Sequence, residues 1–141
     1  MVAPDFSIWS SDGVTEYSAY SWGVGAKNTT TAEVTLYIWN DKGAVSGSDT
    51  ADNVTITTKT TSNEDTGSTL VEDDWYEVKC TSFGDVAFSA VGGATTKAIG
   101  YAAADQTVPS DTKAIVVNQI VVPLDVVGGV YEFLLRLDFD Y

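Results

Sequence analysis

The chain contains no histidine and only one cysteine, Cys80, among its 141 residues. The absence of histidine excludes the Ser-His-Asp and Cys-His catalytic arrangements, because the general base in both is an imidazole. It also excludes metal sites built on histidine, and a lone thiolate can form neither a structural zinc site nor an internal disulfide. We therefore expect no metal and no cofactor, in a protein made in a reducing compartment or indifferent to redox conditions.

Positive charge is scarce, since 7 Lys and Arg stand against 20 Asp and Glu and give a formal net charge of −13. The cations are spaced almost evenly along the chain, so we expect neither nucleic acid nor a membrane surface as a partner. No apolar run reaches the roughly 20 residues of a membrane helix, and the first residues lack the basic and apolar segments of a secretory signal. The acidity predicts solubility and repulsion between free copies.

Hydrophobic residues alternate with polar ones at a period of two, which is typical of half-buried strands. Turn signals rich in Gly, Asp, Asn, Ser and Pro separate these segments. Together they predict one all-β domain, an antiparallel β-sandwich of immunoglobulin-like architecture with about eight strands. The predicted strands cover residues 33–40, 53–60, 75–82, 86–91, 96–101, 114–122 and 131–141, with a further strand within 15–22.

Residues 1–13 precede the predicted sandwich domain, residues 14–141, as a short N-terminal arm without a clear period. Such an arm packs either on a neighbouring subunit or on an edge of its own sandwich, and both alternatives remain open. Removal of residues 1–13 is expected to abolish assembly and to leave the sandwich folded. We predict a contact region formed by aromatic residues of the arm and of the segment after it: Phe6, Trp9, Tyr17, Tyr20 and Trp22.

Residues 20–56 show a pattern of an aromatic-Gly-hydrophobic turn at Tyr20–Val24, a strand that ends in Asn40, and a second strand that begins near Asn53-Val54. This pattern resembles the ASPM–SPD-2–Hydin type of immunoglobulin-like module, over about a quarter of the chain. Residues 122–131 resemble the late-strand corner of many immunoglobulin-like domains. The resemblance implies a sandwich.

The acidic composition, rich in Thr and Val, and the turn at residues 39–43 are similar to those of small β-sandwich proteins of tailed-phage virions. This resemblance implies a non-enzymatic structural role, as a capsid decoration or accessory protein or as a tail-associated subunit that binds a repeated viral lattice. The implied partners are capsid or tail proteins and further copies of the chain in a homo-oligomer or multicopy assembly. The implied location is the virion, with synthesis in the host cytoplasm.

The aromatic residues suggest an alternative function, because exposed rings on a sandwich can stack on sugars. A carbohydrate- or cell-surface-binding module, for example of a tail fibre, would use Tyr37, Trp39 and Trp75. Tyr37 and Trp39 alternate with apolar residues of one predicted strand, and Trp75 lies at the start of another. The competing interpretation places these rings in the core or in a subunit interface, where Trp and Tyr are also enriched.

Two acidic patterns could indicate chemistry. Asp65-Thr66-Gly67 matches the catalytic triplet of aspartic proteases, which requires two carboxylates held on rigid loops after apolar strands. Here the polar residues 62–64 precede the triplet, so a solvated turn is the favoured interpretation and we predict no enzyme. Carboxylates such as those of residues 72–74 could bind calcium, but they lack the spacing of an EF-hand loop, and we expect a solvated acidic surface.

Overall fold

The computed structural model of the chain, which describes residues 1–23 and 25–141, confirms an all-β sandwich. In these residues no helix has the length and apolar character needed to cross a membrane. Within the same ranges the elements number nine strands and one short helix: β1 (Phe6–Ser10), β2 (Thr29–Thr30), β3 (Val34–Asn40), β4 (Asp52–Lys59), α1 (Thr69–Glu72), β5 (Tyr76–Cys80), β6 (Ser89–Val91), β7 (Lys97–Ala98), β8 (Thr112–Val122) and β9 (Leu134–Asp140).

Two antiparallel sheets form the sandwich. The larger sheet has the order β1-β3-β8-β5-β6, with β2 paired to the end of β8, and the smaller sheet has the order β7-β4-β9. The long strand β8 lies at the centre of the larger sheet, because it pairs with β3 on one side and with β5 on the other. The last strand, β9, pairs with the early strand β4. Strands distant in sequence therefore lie side by side, as in Greek-key connections.

The period-two alternation determines which side chains fill the space between the sheets. Leu36 and Ile38 of β3 are buried against the core, as are Val54 and Ile56 of β4. Burying aliphatic side chains of this size contributes roughly 1.5–3 kcal/mol each relative to leaving them exposed. The alternate residues of β3 point the other way, so the sequence pattern separates a core face from an outer face.

One polar pair is buried within this core. The hydroxyl of Tyr76 donates a short hydrogen bond to Oδ1 of Asn118, and both residues are fully buried. Burial raises the pKa of Tyr76 well above its usual value, because the phenolate would lose its hydration. The hydroxyl therefore remains protonated and continues to satisfy the Asn118 carbonyl oxygen.

The residues expected to form an N-terminal arm include an edge strand of the larger sheet. All five residues of β1 pair with β3, from Phe6↔Asn40 to Ser10↔Leu36. Phe6 and Ile8 lie opposite buried residues of β3 and pack against the core cluster. Of the two alternatives for the arm, this is packing on the edge of its own sandwich.

The strand predicted within residues 15–22 is wrong, because this segment forms only an isolated bridge between Trp9 and Glu16. Its aromatic side chains instead pack on one another and, through Trp22, on the buried ring of Tyr76. Two other predicted strands are shorter than expected, Ser89–Val91 and Lys97–Ala98. The second ends two residues before Gly100, whose missing side chain leaves room for the carbonyl group of Asp105.

Candidate functional site

The outer face of the larger sheet carries a group of half-buried aromatic residues. Trp9 of β1 lies opposite Tyr37 of β3, and Ser7 lies opposite Trp39 in the same register. These side chains alternate with the core residues of their strands and therefore point away from the smaller sheet. Trp9 is held in place by a hydrogen bond of 2.9 Å from its Nε1 to the hydroxyl of Ser7.

Two lysines lie over these rings. The Lys42 ammonium is 4.4 Å from the ring centre of Trp9 and 5.7 Å from that of Trp39. The Lys113 ammonium is 4.6 Å from the ring centre of Trp39 and 4.9 Å from that of Tyr37. All four distances are within the range of cation–π attraction. We name these five residues, Trp9, Tyr37, Trp39, Lys42 and Lys113, the aromatic–lysine face.

A third lysine lies on the same side of the sheet. Lys79 of β5 pairs in register with Val117 of β8, and its ammonium is 4.5 Å from the ring centre of Phe88. The acidic residue Glu77, on the same side of β5, accepts a hydrogen bond of 2.7 Å from Gln119. The sheet thus brings together lysines that are far apart in sequence. The even spacing of the cations along the chain therefore does not describe their distribution on this face.

The end of β3 is anchored by the buried side chain of Asn40. Its amide nitrogen donates to the carbonyl oxygens of Asp49 and Val108, at 3.0 and 2.9 Å. Its amide oxygen accepts hydrogen bonds from the Asp5 N–H at 3.0 Å and the Ser48 hydroxyl at 2.8 Å. Because both amide groups are satisfied, the residue next to Trp39 connects the N-terminus, the loop after β3 and the segment before β8.

Asp41 organises the loop that carries Lys42. Its carboxylate, almost completely buried, accepts hydrogen bonds from the Ser46 N–H at 2.8 Å, the Ser48 N–H at 3.1 Å and the Ser110 hydroxyl at 2.9 Å. The Ser46 N–H makes the largest contribution to holding the pKa of Asp41 far below its usual value, and the remaining hydrogen bonds outweigh the opposing effect of burial. The carboxylate is therefore ionised at neutral pH and holds the loop closed.

The structure divides the five predicted contact residues between two sides of the sheet. Only Trp9 lies on the aromatic–lysine face. Phe6 packs from the core side on Phe139, with ring centres 5.1 Å apart. The remaining three form a ladder of edge-to-face contacts that runs from the surface into the core: Tyr17–Tyr20 at 5.3 Å, Tyr20–Trp22 at 5.2 Å and Trp22–Tyr76 at 5.6 Å.

The residues predicted for sugar binding are also divided. Tyr37 and Trp39 lie on the outer face as expected, but Trp75 is only 6% exposed. Its ring packs against Tyr131, with ring centres 4.9 Å apart. Trp75 directly precedes β5 and is covered by the segment before β9, so it offers no ring to a sugar. Trp9, which lies beside Tyr37 on the face, was not among the residues proposed for this role.

A second feature is an apolar cavity of about 1140 Å³ where the two sheets open. It lies between the aromatic ladder and the chain that leads into β9, and Trp22, Trp75, Ile120, Tyr131 and Phe133 are among its lining residues. Polar residues, among them Ser21, Lys27 and Glu132, also line it. An apolar lining with a few polar groups is typical of a small-molecule site.

The two acidic patterns of the sequence can be located among the described residues. In residues 1–23 and 25–141 no group of three or more Cys, Asp or Glu side chains could hold a metal ion. Asp65 of the protease-like triplet is half-exposed and forms an ion pair with Lys59. No model of a known protein family, no curated protein and no solved structure matches the chain.

Proposed function

We propose that the chain is a non-enzymatic binding subunit of a larger assembly, in which the aromatic–lysine face is the attachment surface. The observation that supports this function is the grouping of Trp9, Tyr37 and Trp39 on one side of a regular sheet, beside two lysines. Trp and Tyr are enriched in protein interfaces and among the few residues whose truncation weakens binding most. A rigid sheet presents them with little loss of conformational freedom on binding.

The assembly we propose is a virion, with the chain as a capsid decoration or accessory protein or as a tail-associated subunit. This part of the proposal rests on the resemblance of the composition and of the turn at residues 39–43 to small sandwich proteins of tailed phages. Many copies would each bind a repeated site with modest area, and avidity would increase the overall affinity. The net charge of −13 would keep unassembled copies apart.

The alternative function is a carbohydrate- or cell-surface-binding module. Tyr37, Trp39 and Trp9 provide aromatic rings on one face, which supports this alternative. However, Lys42 and Lys113 lie over those rings and occupy the position that a stacked sugar would need. For this reason we favour a protein lattice as the partner.

A co-sedimentation experiment tests the proposed function. Mass spectrometry of virions purified from the culture that carries the gene should detect many copies of the chain. Particles from which the chain has been removed should bind the purified protein again. The double variant Trp9→Ser/Trp39→Ser should bind about thirtyfold more weakly, because tryptophans at the centre of an interface are typical hot spots. Tyr101→Ser, which changes an exposed aromatic residue outside the face, is the matched control and should bind normally.

Two results would contradict the proposal. The first is the absence of the chain from purified virions, and the second is equal binding of the wild-type and double-variant proteins when circular dichroism shows that both are folded. Binding of the wild type to a glycan array, lost in the double variant, would favour the alternative function instead.

A further inference from the structure

We propose that the partner bound by the aromatic–lysine face is an acidic protein surface, whose Asp and Glu carboxylates contact the ammonium groups of Lys42 and Lys113. This inference rests on the proposed function, because it assigns a chemical class to the partner of the same face. Its basis is the distribution of charge over the molecule, the position of the lysines over the rings, and the way in which the loop after β3 is held.

The lysines of this face have no acidic partner within the described chain. Elsewhere three cations each form an ion pair, namely Lys59 with Asp65, Lys97 with Asp85, and Arg136 with Asp138. Among the residues that the structure describes, Lys42, Lys79 and Lys113 contact aromatic rings and no carboxylate within ion-pair distance. In a chain with 20 acidic residues, this face therefore keeps its positive charge available to a partner.

The surrounding charge makes the face distinctive. The molecule as a whole carries a net charge of −13. Its outer sheet face carries Lys113 and Lys79 on strands and Lys42 at the rim, together with the carboxylates of Glu77 and Glu16. An acidic partner would find Lys42 and Lys113 free of ion pairs among the described residues, whereas three other cations of the chain are already paired with carboxylates. Such complementarity mainly determines the orientation of a complex and disfavours other partners, and it contributes less to the affinity itself.

The position of the ammonium groups favours a carboxylate ligand over a sugar that stacks on the rings. A sugar that stacks on Trp39 must displace Lys113 from 4.6 Å above the ring, and one that stacks on Trp9 must displace Lys42 from 4.4 Å. A carboxylate instead binds each ammonium group where it already lies, because an ammonium group has three donors and the ring uses only one side of it. The arrangement therefore favours an acidic polypeptide over a glycan.

The loop that carries Lys42 is held before any partner arrives. Asp41 accepts the hydrogen bonds from Ser46, Ser48 and Ser110, and Asp111 accepts one of 2.7 Å from the Gly43 N–H. A lysine that is already restrained by its loop and by two rings loses less conformational freedom when it binds. The face is thus preorganised for anionic groups.

Titration with poly-L-glutamate tests the inference directly. Tryptophan fluorescence includes the signals of Trp9 and Trp39 on the face, together with those of Trp22 and Trp75 elsewhere, and the probe itself does not absorb at the excitation wavelength. We expect saturable binding that weakens as sodium chloride is raised, because opposite charges at a surface are screened by salt. Lys113→Glu should weaken binding about tenfold, and Lys42→Glu should act in the same direction. Lys27→Glu makes the same change of charge outside the face and is the matched control, expected to change binding less than about twofold.

Three other outcomes overturn the inference. The first is that poly-L-glutamate does not bind. The second is an equal loss of affinity in Lys113→Glu and Lys27→Glu, which would show an effect of net charge alone. Tighter binding of polygalacturonate, lost in Trp39→Ser but not in Lys113→Glu, would identify an acidic glycan as the ligand. Self-association in sedimentation experiments, abolished by Lys113→Glu, would instead support the inference and would identify the acidic surface of a second copy of the chain as the partner. Thermal melts verify that each variant is folded. If Lys113→Glu does not fold, Lys42→Glu provides an independent measurement.

The outcomes for the inference and for the proposed function can be separated. If the chain is a component of virions and Trp9→Ser/Trp39→Ser prevents attachment while Lys113→Glu does not, the inference fails and the proposed function stands. If poly-L-glutamate binds through the lysines but the chain is absent from virions, the proposed function fails and the acidic partner must be sought elsewhere.

Discussion

At the scale of single residues, Asn40 and Asp41 connect the core to the aromatic–lysine face. Both are polar and buried, and a buried polar group is costly unless its hydrogen bonds are made. Here backbone and hydroxyl groups of the loop after β3 and of residues 108–110 provide hydrogen-bond partners for both side chains. The position of Lys42 therefore depends on an ionised carboxylate next to it in sequence.

Replacement of Asp41 by Asn is expected to lower the free energy of unfolding at pH 7. The pKa of Asp41 is lower in the folded chain than in the unfolded chain, so its stabilising effect is present above the unfolded value of about 3.9 and is lost as the pH falls below it. The difference between wild type and Asp41→Asn should therefore shrink on acidification below about pH 4. Urea unfolding measured from pH 7 to pH 2 checks this expectation.

The exposed residue Asp125 provides the control for that experiment. Asp125→Asn makes the same change of charge in a loop without hydrogen bonds to the carboxylate among the described residues, and it should leave the free energy of unfolding nearly unchanged at pH 7. A difference between wild type and Asp41→Asn that stays constant across the whole pH range would contradict the role given to the charge.

At the scale of elements, β1 contributes side chains to both faces of the larger sheet. β1 supplies Trp9 to the outer face and Phe6 and Ile8 to the core. Removal of residues 1–13 would therefore expose the edge of β3, so that loss of assembly in a truncated protein would not by itself identify a contact region. Point substitutions such as Trp9→Ser are the better test.

Gly100→Ala is expected to destabilise the fold by about 1–3 kcal/mol or more, because the added Cβ would overpack a buried turn. A Cβ at this position would lie 1.7 Å from the carbonyl oxygen of Asp105, so the backbone itself would have to move. Gly128→Ala is the matched control, since a Cβ there meets nothing within 4 Å. Thermal unfolding of both variants should show a large decrease in Tm only for Gly100→Ala, and similar Tm values for the two would contradict the expectation.

At the scale of the whole molecule, the net charge of −13 opposes folding through repulsion between like charges. The described ion pairs involve only Lys59, Lys97 and Arg136, so most carboxylates are not neutralised within the chain. The lysines of the aromatic–lysine face make the charge distribution uneven. Three of the seven Lys and Arg residues, Lys42, Lys79 and Lys113, lie on one side of the larger sheet.

Sodium chloride is expected to raise the free energy of unfolding between about 0.01 and 0.15 M, where the screening length falls from roughly 30 to 8 Å. The increase should be larger for Lys27→Glu, which adds negative charge, and smaller for Asp125→Lys, which removes it. Urea unfolding at the two salt concentrations measures the effect. If the three proteins respond equally, repulsion across the molecule does not limit stability.

The sequence alone was sufficient to predict the all-β sandwich and the positions of its longer strands. Alternating apolar residues determine which face of a strand is buried, and this local property is visible in β3 and β8 without any partner. The same alternation indicated that Tyr37 and Trp39 point outward. The absence of histidine and the scarcity of cysteine are equally visible in the sequence, and they excluded the main classes of nucleophilic and zinc chemistry.

Only the tertiary structure decided which residues share a surface. Pairing of β1 with β3 and of β3 with β8 brings Trp9, Tyr37 and Lys113 together, although Trp9 and Lys113 are far apart in the sequence. Pairing of distant strands depends on the joint packing of the core, and a period of two carries no information about which strand lies beside which. For the same reason the sequence did not show that Trp75 is buried, or that lysines spaced evenly along the chain lie on one side of a sheet.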